Sequence, residues 1–591
     1  MRLPNIIYIM KVNNTTFQNI KLPEGIRAAL IDMDGVLYDS MPYHAQAWHT
    51  MLSERGINTD LDEFFLYEGM TGEATIDLIF MRELGRHATE EEKKELYRRK
   101  SDLFVKFGKK EMMPGAAEML RELKQLSLDT ILVTGSAQSS LLNSLDTDYP
   151  GCFPAGKRVT ALDVKKGKPD PEPYLKALEK ARVRADEAIV IENAPLGVRA
   201  GKSAGCFTIA VTTGPIAREE FEKEGADLIF PSMQQFAIWL KYFRSIRDLC
   251  GKIDKTLEQL NAESYLVVTD SNVSDKVMPL LKDAKSIANS PQVILEAGED
   301  HKNLSSVEKI WLALEETGAT RKSVIVNIGG GMVSDIGGFA AATFKRGIRY
   351  MNIPTTLLAA VDAATGGKTG VNYNGLKNEI GAFHAPAHVI ISSLPYSSLP
   401  HMEVLSGYAE MVKTALIADE SLYLHLSNMG KVISDKDLLE GYVKRCVKIK
   451  EDIVNLDPFD KGIRKTLNFG HTAGHAFESL MLKRATPVPH GIAVAHGILV
   501  ALLLSVIIKN LPSSEVTRYV ECILKPEYPR LNISCDDLPS LMEYMARDKK
   551  NSSMGSPAFT LLSRIGTPEI DCHPSDESIG EALDLYRDIM E

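Results

Sequence analysis

The 591-residue chain has seven cysteines, an odd number, and no CxxC pair. That excludes a disulfide framework and a thiolate zinc site, and it makes a reducing cytoplasm the simplest expected compartment. No low-complexity tract and no internal repeat is present, which excludes a solenoid. Long apolar runs are also missing. Residues 6–10 (IIYIM) are too few for a signal core, so residues 1–25 read as a leader. Residues 498–508 are too few to span a bilayer and read as a buried helix. Positive charge is in deficit, 68 Lys and Arg against 78 Asp and Glu, for a net charge of −10. A nucleic-acid-binding surface needs clustered cations, so no nucleic-acid partner is expected, and no membrane partner either. Phosphorylated small substrates stay open, because a few lysines and arginines can gather inside an acidic protein.

What is present is ordinary globular composition, 44% hydrophobic and 25% charged. The length suits roughly four lobes of ~150 residues. Two strand–turn–helix starts organise the chain. The first runs through residues 28–33 into Asp32-Met33-Asp34-Gly35, and the second through residues 323–328 into Gly329-Gly330-Gly331. Short apolar runs at 131–133, 188–191 and 208–211 have the length of buried parallel strands, with helical periodicity between them. Residues 44–112 are charged and helix-patterned, an insertion. Residues 239–260 read as an amphipathic helix, with a boundary near 248. Beyond about 398 strand signals vanish and helical patterns dominate. The expected fold class is therefore α/β. It comprises a Rossmann-like core with a helical cap (26–248, cap about 44–112), a second α/β lobe (249–398), and a helical lobe (399–591).

Asp32 and Asp34, one residue apart at the end of a buried strand, can supply a nucleophile and a proton donor for phosphoryl transfer to a carboxylate. D-x-D-G also occurs in surface turns and calcium sites, and three later elements tip the balance. Thr134-Gly135-Ser136 follows one apolar run with a hydroxyl and backbone N–H groups for phosphate. Lys168 sits in Gly167-Lys168-Pro169-Asp170-Pro171. Glu192-Asn193 follows another run with hard oxygen ligands suited to Mg²⁺. In this order the motifs resemble the haloacid dehalogenase superfamily, in the branch similar to β-phosphoglucomutase, over about 26–240. The resemblance implies Asp32 as nucleophile and Asp34 as general acid/base. It makes Thr134 and Lys168 phosphate stabilisers, and places Asp32, Asp34, Glu192 and Asn193 around Mg²⁺. Asn193 stands where Asp is common. His44 and Trp48 fall in the first cap helix, where His44 can meet substrate and Trp48 reads as core.

In the second half, Gly329 to Gly331 allow backbone N–H groups close to a pyrophosphate at a helix N-terminus. Asp335 and the turn Pro354-Thr355-Thr356 follow. Upstream, Glu299 and Lys302 are placed for ribose hydroxyls, and Asp270 for adenosine or simply for a turn. Residues 361–372 are rich in small side chains around Asp362 and Lys368, so those polar groups can face a ligand. Lys377 and Asn378 follow closely. Further on, His471 and His475 are four apart and share a helix face with Glu478, with His490 beyond a short loop and Glu410 in a preceding helix. Two such histidines, a third nearby and a carboxylate suit a catalytic divalent ion with open positions.

The segments GGGMVSDIGGFAAATFKRG, IPTTLLAAVDAATGGKTGVN, LKNEIGAFHAP, GYAEMVK, GIRKTLNFGHTAGHAFE and RDKK resemble 3-dehydroquinate synthase over about 252–591. That resemblance implies NAD⁺ as cofactor, with Asp270, Glu299, Lys302, Gly330, Gly331, Asp335, Thr355, Thr356 and Lys377 along it. It implies Zn²⁺ or Co²⁺ held by Glu410, His471 and His490, and Asp362 and Lys368 beside cofactor and substrate. Lys413, Lys450 and Arg464 hold substrate oxygens, while Asn378, Asn468, His475 and one of Lys549 or Lys550 surround the phosphate. Arg346 reaches the neighbouring site of a homodimer. The chain departs from the family at Asp362-Ala363-Ala364-Thr365, which lacks two expected hydroxyls, and at Ile492, which stands in place of a glutamate. The expected activity is a shikimate-pathway lyase fused to a phosphatase of a small phosphorylated sugar. Another sugar-phosphate cyclase and an NAD-linked, metal-dependent polyol dehydrogenase stay open as alternatives.

Overall fold

Four consecutive apolar residues ahead of Asp32 have no polar face to offer water, and they form a strand buried on both sides, β1 (Ala28–Ile31). The computed structural model describes residues 22–108, 111–135, 139–374, 376–547 and 557–591. It separates into two compact units, one within Thr16–Ser245 and one within Ile246–Glu591.

In the first unit the insertion after β1 is helical: α1 (Met41–Ser53), α2 (Gly72–Leu84) and α3 (Glu90–Phe107). The start of α3 is fixed by a capping box, Thr89 accepting from the Glu92 N–H while Glu92 accepts from the Thr89 N–H. The chain then returns to the sheet as β2 (Asp129–Val133) and β3 (Arg158–Val159), passes through α4 (Glu172–Ala181), and adds β4 (Ala188–Glu192), β5 (Phe207–Val211) and β6 (Leu228–Phe230). The sheet is parallel, in the order β3-β2-β1-β4-β5-β6. Successive strands build outward on one side of β1 and then restart on the other, so the order reverses between β1 and β4. Crevices at such reversals, beyond the carboxyl ends of the strands, are where open α/β sheets bind ligands. Asp32 and Glu192 stand at this one. The final helix, α5 (Met233–Leu260), starts six residues before the expected position. Met233, Phe236, Trp239 and Leu240 are all fully buried, and their spacing extends the apolar stripe toward the N-terminus.

The second unit holds a parallel sheet of β7 (Tyr265–Asp270), β8 (Gln292–Leu295), β9 (Val324–Gly329), β10 (Arg349–Pro354) and β13 (His388–Val389), in the order β13-β10-β9-β7-β8. Its order reverses between β7 and β9, where Asp270 and Gly329 end their strands. From that point α6 (Gly331–Thr343) leaves the sheet. The small-residue segment runs into an antiparallel hairpin, β11 (Lys368–Tyr373) and β12 (Leu376–Phe383). Gly370 and Gly381 face each other there, and a Cβ on either would overlap the opposing backbone.

The helical lobe is built on α7 (His401–Ala418), α8 (Lys436–Leu456), α9 (His471–Lys483) and α10 (His490–Lys509). The apolar run at 498–508 lies in α10, which is long and apolar enough to cross a membrane, with mean hydropathy 2.6 over its best window, of which 83% is buried in the protein. Each buried Leu or Ile there contributes about 1.5–3 kcal/mol, so this helix is the axis of the lobe's core. The expectation that strands end near 398 is wrong. A second hairpin, β14 (Phe559–Arg564) and β15 (Thr567–Cys572), packs Leu561 and Leu562 into that core. Its apolar residues alternate over too few positions to stand out between helices.

Candidate active sites

In the first unit, Asp32 follows β1 and Lys168 reaches it from a loop preceding α4. The Lys168 ammonium stands between the carboxylates of Asp32 and Glu192, pairing with both, at 2.5 Å to Glu192. Burial alone would lower the Lys168 pKa, but these two charges outweigh it and raise it. Burial raises Asp32 well above the usual carboxylate range, and the charges of Glu192 and Asp34 add to this while Lys168 opposes it. Thr134 is buried just after β2. Ser136 lies outside the described residues.

Asp34 is engaged differently. Its Oδ1 accepts from Ser40 Oγ at 2.5 Å and lies 3.3 Å from His44 Nε2 on α1. Burial would raise this carboxyl, yet His44, Ser40 and Lys100 bring it below its ordinary value. His44 Nδ1 in turn sits 2.6 Å from Lys100 Nζ on α3, with Phe104 stacked on the ring. Burial lowers the Lys100 pKa to about 8. Trp48 packs against Phe64 in the core. Lys100 was hidden by a charged helix, but it falls on the buried stripe Leu96, Lys100, Leu103, Phe104, a signal that periodicity alone could have given.

Of the expected Mg²⁺ set, Glu192 is the most heavily hydrogen-bonded. Its Oε1 takes Lys168 and the Tyr174 hydroxyl, and its Oε2 takes the N–H groups of Asn193 and Ala194. A carboxylate accepts about four hydrogen bonds, so Glu192 is filled by holding the lysine and the backbone. Asp34 likewise gives its Oδ1 to Ser40 and His44. Asn193 is the buried residue left with an unbonded oxygen, Oδ1, while its Nδ2 donates to Glu68. Glu68 is a residue the sequence reading missed. Burial and the charges of Asp32 and Glu192 hold its carboxyl well above the usual range. So many carboxylates, two of them held above their ordinary range, describe a pocket short of positive charge, and a divalent cation fits that deficit.

In the second unit, Glu410 (α7), His471 (first residue of α9) and His490 (first residue of α10) each present a ligand atom within 4.8 Å of the others. The histidines are aimed by their other nitrogens. His471 Nδ1 lies 3.3 Å from the Phe469 carbonyl, and His490 Nδ1 lies 3.1 Å from Glu478 Oε2. Both Nε2 atoms therefore face Glu410 Oε1, at 3.6 and 3.9 Å. Such outer contacts fix tautomer and ring orientation at metal sites. Both Glu410 oxygens are buried: Oε2 pairs with Lys413, and Oε1 faces the two imidazoles. A buried carboxylate oxygen facing two imidazoles fits a divalent ion such as Zn²⁺ or Co²⁺. His475 completes a ring of imidazoles, its centroid 5.6 and 5.8 Å from those of His471 and His490.

Asp362 and Lys450 join this cluster through a buried ion pair, with Lys450 also bonding the Asp362 carbonyl. Burial would raise Asp362, but Lys450 and then Lys413 pull it far below the carboxylate range. Arg464 is buried and donates to the carbonyls of Pro458 and Gly366. Asn468 sits three residues before His471, in the turn that leads into α9. Lys377 pairs with Glu478 at 2.5 Å, which ties the hairpin to the metal-ligand shell.

Several of the residues expected along the cofactor lie near the β7/β9 reversal. Gly330 precedes the first turn of α6, and the Thr355 N–H bonds the Gly329 carbonyl. Lys302 pairs with Asp335 at 2.5 Å, and Glu299 accepts from Asn372 Nδ2 at 3.0 Å. Two expected contacts are occupied by the chain itself. Asp270 accepts from the Val273 N–H as a helix cap, and Thr356 Oγ1 accepts from the Ala359 N–H. Lys368 is half-exposed and pairs with Asp460 rather than with the metal cluster. Asn378 is exposed on β12 with φ +53°, and its N–H donates to Asn372 Oδ1. Arg346 stands exposed past the far end of α6, roughly 20 Å of helix from Gly330. Lys549 and Lys550 lie outside the described residues.

Fold and sites together define a two-enzyme fusion, with a hydrolase half of haloacid dehalogenase type followed by a lyase half. Residues 26–205 match the model of haloacid dehalogenase-like hydrolases. Residues 292–406 and 407–551 match the N-terminal and C-terminal models of 3-dehydroquinate synthase. The chain belongs to the 3-dehydroquinate synthase family: it is 44% identical to the 3-dehydroquinate synthase of Parabacteroides distasonis over 342 residues, 58% of this chain and 96% of that relative. Among solved structures, a 2-deoxy-scyllo-inosose synthase complexed with carbaglucose-6-phosphate, NAD⁺ and Co²⁺ is 25% identical, with 57% of this chain and 94% of that one covered and a TM-score of 0.50. A protein of Bacteroides vulgatus described as a candidate β-phosphoglucomutase is 45% identical over 40% of this chain and 97% of that one, with a TM-score of 0.36.

Proposed function

We propose that the second half converts 3-deoxy-arabino-heptulosonate 7-phosphate into 3-dehydroquinate and phosphate, using NAD⁺ and Zn²⁺ or Co²⁺. The first half is an Mg²⁺-dependent phosphatase of a small phosphorylated sugar. The observation that carries the lyase reading is the Glu410, His471 and His490 cluster, with both imidazole Nε2 atoms directed at one buried carboxylate oxygen, Glu410 Oε1. When bound, NAD⁺ supplies a reversible hydride acceptor and the divalent ion a Lewis acid for a substrate hydroxyl. Lys450 and Arg464 hold the substrate carboxylate, the feature that separates this substrate from neutral sugars. Lys413 holds a hydroxyl beside the metal ligands. His475, Asn468, Asn378 and one of Lys549 or Lys550 hold the phosphate, which takes up the proton as it leaves by β-elimination. The same groups keep the opened chain folded on itself for the closing aldol step, where orientation outweighs any single contact. Arg346, exposed past the end of α6, completes the partner's site in a cytoplasmic homodimer.

In the first half Asp32 attacks phosphorus while Asp34 protonates the departing alcohol oxygen. The resulting aspartyl phosphate is opened by water that gives its proton back to Asp34. The His44–Lys100 pair holds Asp34 ready for both transfers. Incubating the whole protein with 3-deoxy-arabino-heptulosonate 7-phosphate, NAD⁺ and Zn²⁺ should yield dehydroquinate and one phosphate, with no net change at 340 nm. Accumulating NADH would favour a polyol dehydrogenase, and turnover only of a carboxylate-free hexose phosphate would favour another cyclase. Absence of any dehydroquinate would overturn the reading.

A further inference from the structure

The pocket around Asp32 offers few oxygens for a divalent ion. Glu192 takes four donors, and Asp34 gives its Oδ1 to Ser40 and His44. The buried Asn193 Oδ1 has no hydrogen bond, and it stands beside Asp32, whose Oδ1 takes Lys168. Asn193 has an amide, and an amide has one donor edge and one acceptor edge. A carboxylate ligand has two equivalent oxygens and can rotate freely. An amide that rotates would turn an NH₂ group toward the cation instead.

The structure contains a device that sets this edge. Glu68, in the cap segment before α2, takes Asn193 Nδ2 on both carboxylate oxygens, at 3.0 and 2.9 Å. With Nδ2 on both Glu68 oxygens, the amide nitrogen faces Glu68 and the carbonyl oxygen faces away from it. The amide is also pressed against Gly35, one residue after Asp34, where φ is +75° and a Cβ would collide with it. The next cap residue, Gly69, lies against the Lys168 side chain, leaving only 2.8 Å between an added Cβ and Lys168 Cδ. The Glu68-Gly69 segment is therefore seated among the reacting groups.

We propose that Glu68 is a positioning residue that locks the Asn193 amide, so that its carbonyl oxygen faces the divalent cation beside Asp32. The lock takes over what a second carboxylate at position 193 would do by symmetry, and it makes cation binding depend on a seated cap. The proposal rests on reading the first half as Mg²⁺-dependent.

The test is calorimetric titration of the intact, zinc-loaded chain with Mg²⁺, with Asp32→Asn as the blank. Glu68→Ala should weaken Mg²⁺ binding about 10- to 100-fold, the usual effect of losing an outer-shell orienting group. Glu68→Gln, whose side-chain carbonyl still accepts from Nδ2, should stay within about threefold of the natural protein. In an Asn193→Asp background, Glu68→Ala should cost less than about twofold, because no amide is left to orient. Unchanged affinity in Glu68→Ala overturns the lock. So does an equal loss in the natural and the Asn193→Asp backgrounds, since Glu68 would then act as a ligand or a bare charge. Absence of Mg²⁺ binding to the natural chain removes the phosphatase reading itself, and the lock with it.

Discussion

Replacing Glu478 by glutamine should weaken zinc binding to the second half although no ligand is lost. Glu478 Oε2 holds His490 Nδ1 at 3.1 Å, while Oε1 pairs with Lys377 at 2.5 Å. Burial would raise this carboxyl, but His490 and Lys377 bring it down to about 2, so it is ionised throughout the working range. A hydrogen bond to a charged group contributes about 1.5–3 kcal/mol. Removing the charge keeps a neutral acceptor for His490, worth about 0.5–1.5 kcal/mol, so about 1–1.5 kcal/mol is lost, and the orientation of Nε2 loosens with it. At about 1.4 kcal/mol per tenfold, zinc affinity should fall about 5- to 12-fold. The deficit should be constant from about pH 6 to pH 9, because Glu478 does not titrate there. Competition against a fluorescent chelator reads it directly, with Glu569→Gln, an exposed partner of Lys509, as the control. A zinc affinity within about threefold of the natural protein would refute the orienting role and leave the cluster to its three ligands alone.

Other perturbations separate the two halves. Asp32→Asn should reduce phosphate release from sugar phosphates by at least about 10³-fold, since the covalent route needs the carboxylate; dehydroquinate formation in the same sample is the internal control. Lys450→Met should lower kcat/KM for the heptulosonate by about 2–5 kcal/mol, because it leaves Asp362 buried without its partner as well as removing a substrate cation; steady-state phosphate release measures it. Lys100 has a folded pKa of about 8, below its value in the unfolded chain. The unfolded state thus binds more protons between about pH 8 and 10.4, so the cost of burying this ammonium is full below pH 8 and disappears as pH rises through that window. Lys100→Met should therefore stabilise the first half by up to about 3 kcal/mol at pH 7, with no gain above about pH 10.5, while slowing the phosphatase; denaturant titrations at both pH values check the sign.

The two nucleating turns were legible because each couples a buried apolar run to chemistry at its end. Asp32-Met33-Asp34-Gly35 and Gly329-Gly330-Gly331 both fall at carboxyl ends of strands that the strand order then turns into crevices. The i, i+4 spacing of His471 and His475 on α9, with Glu478 beyond them, was equally readable, as was burial of the run at 498–508 inside α10. What escaped were positions whose meaning lies across space. Glu68 has neighbours in sequence that say nothing of Asn193, and Lys100 is one cation among many in α3. The hairpin β14–β15 was too short to break a helical background.

Composition and spacing by themselves determined the two α/β halves, the aspartate pair Asp32 and Asp34, and a histidine–carboxylate cluster of His471, His475, His490 and Glu410. These rest on local rules, because strand burial, glycine turns and helical periodicity act within a dozen residues. The family resemblance singled out Asp32 as nucleophile and Glu410, His471 and His490 as ligands. Only the tertiary structure decided which oxygens are free. It filled Glu192 with Lys168, Tyr174 and backbone donors, left Asn193 Oδ1 unbonded, and turned the Nε2 atoms of His471 and His490 to one carboxylate. A side chain's capacity for a ligand is whatever its neighbours leave unused, and folding brings those neighbours together from far along the chain, Lys168 and Asp32 from 136 positions apart.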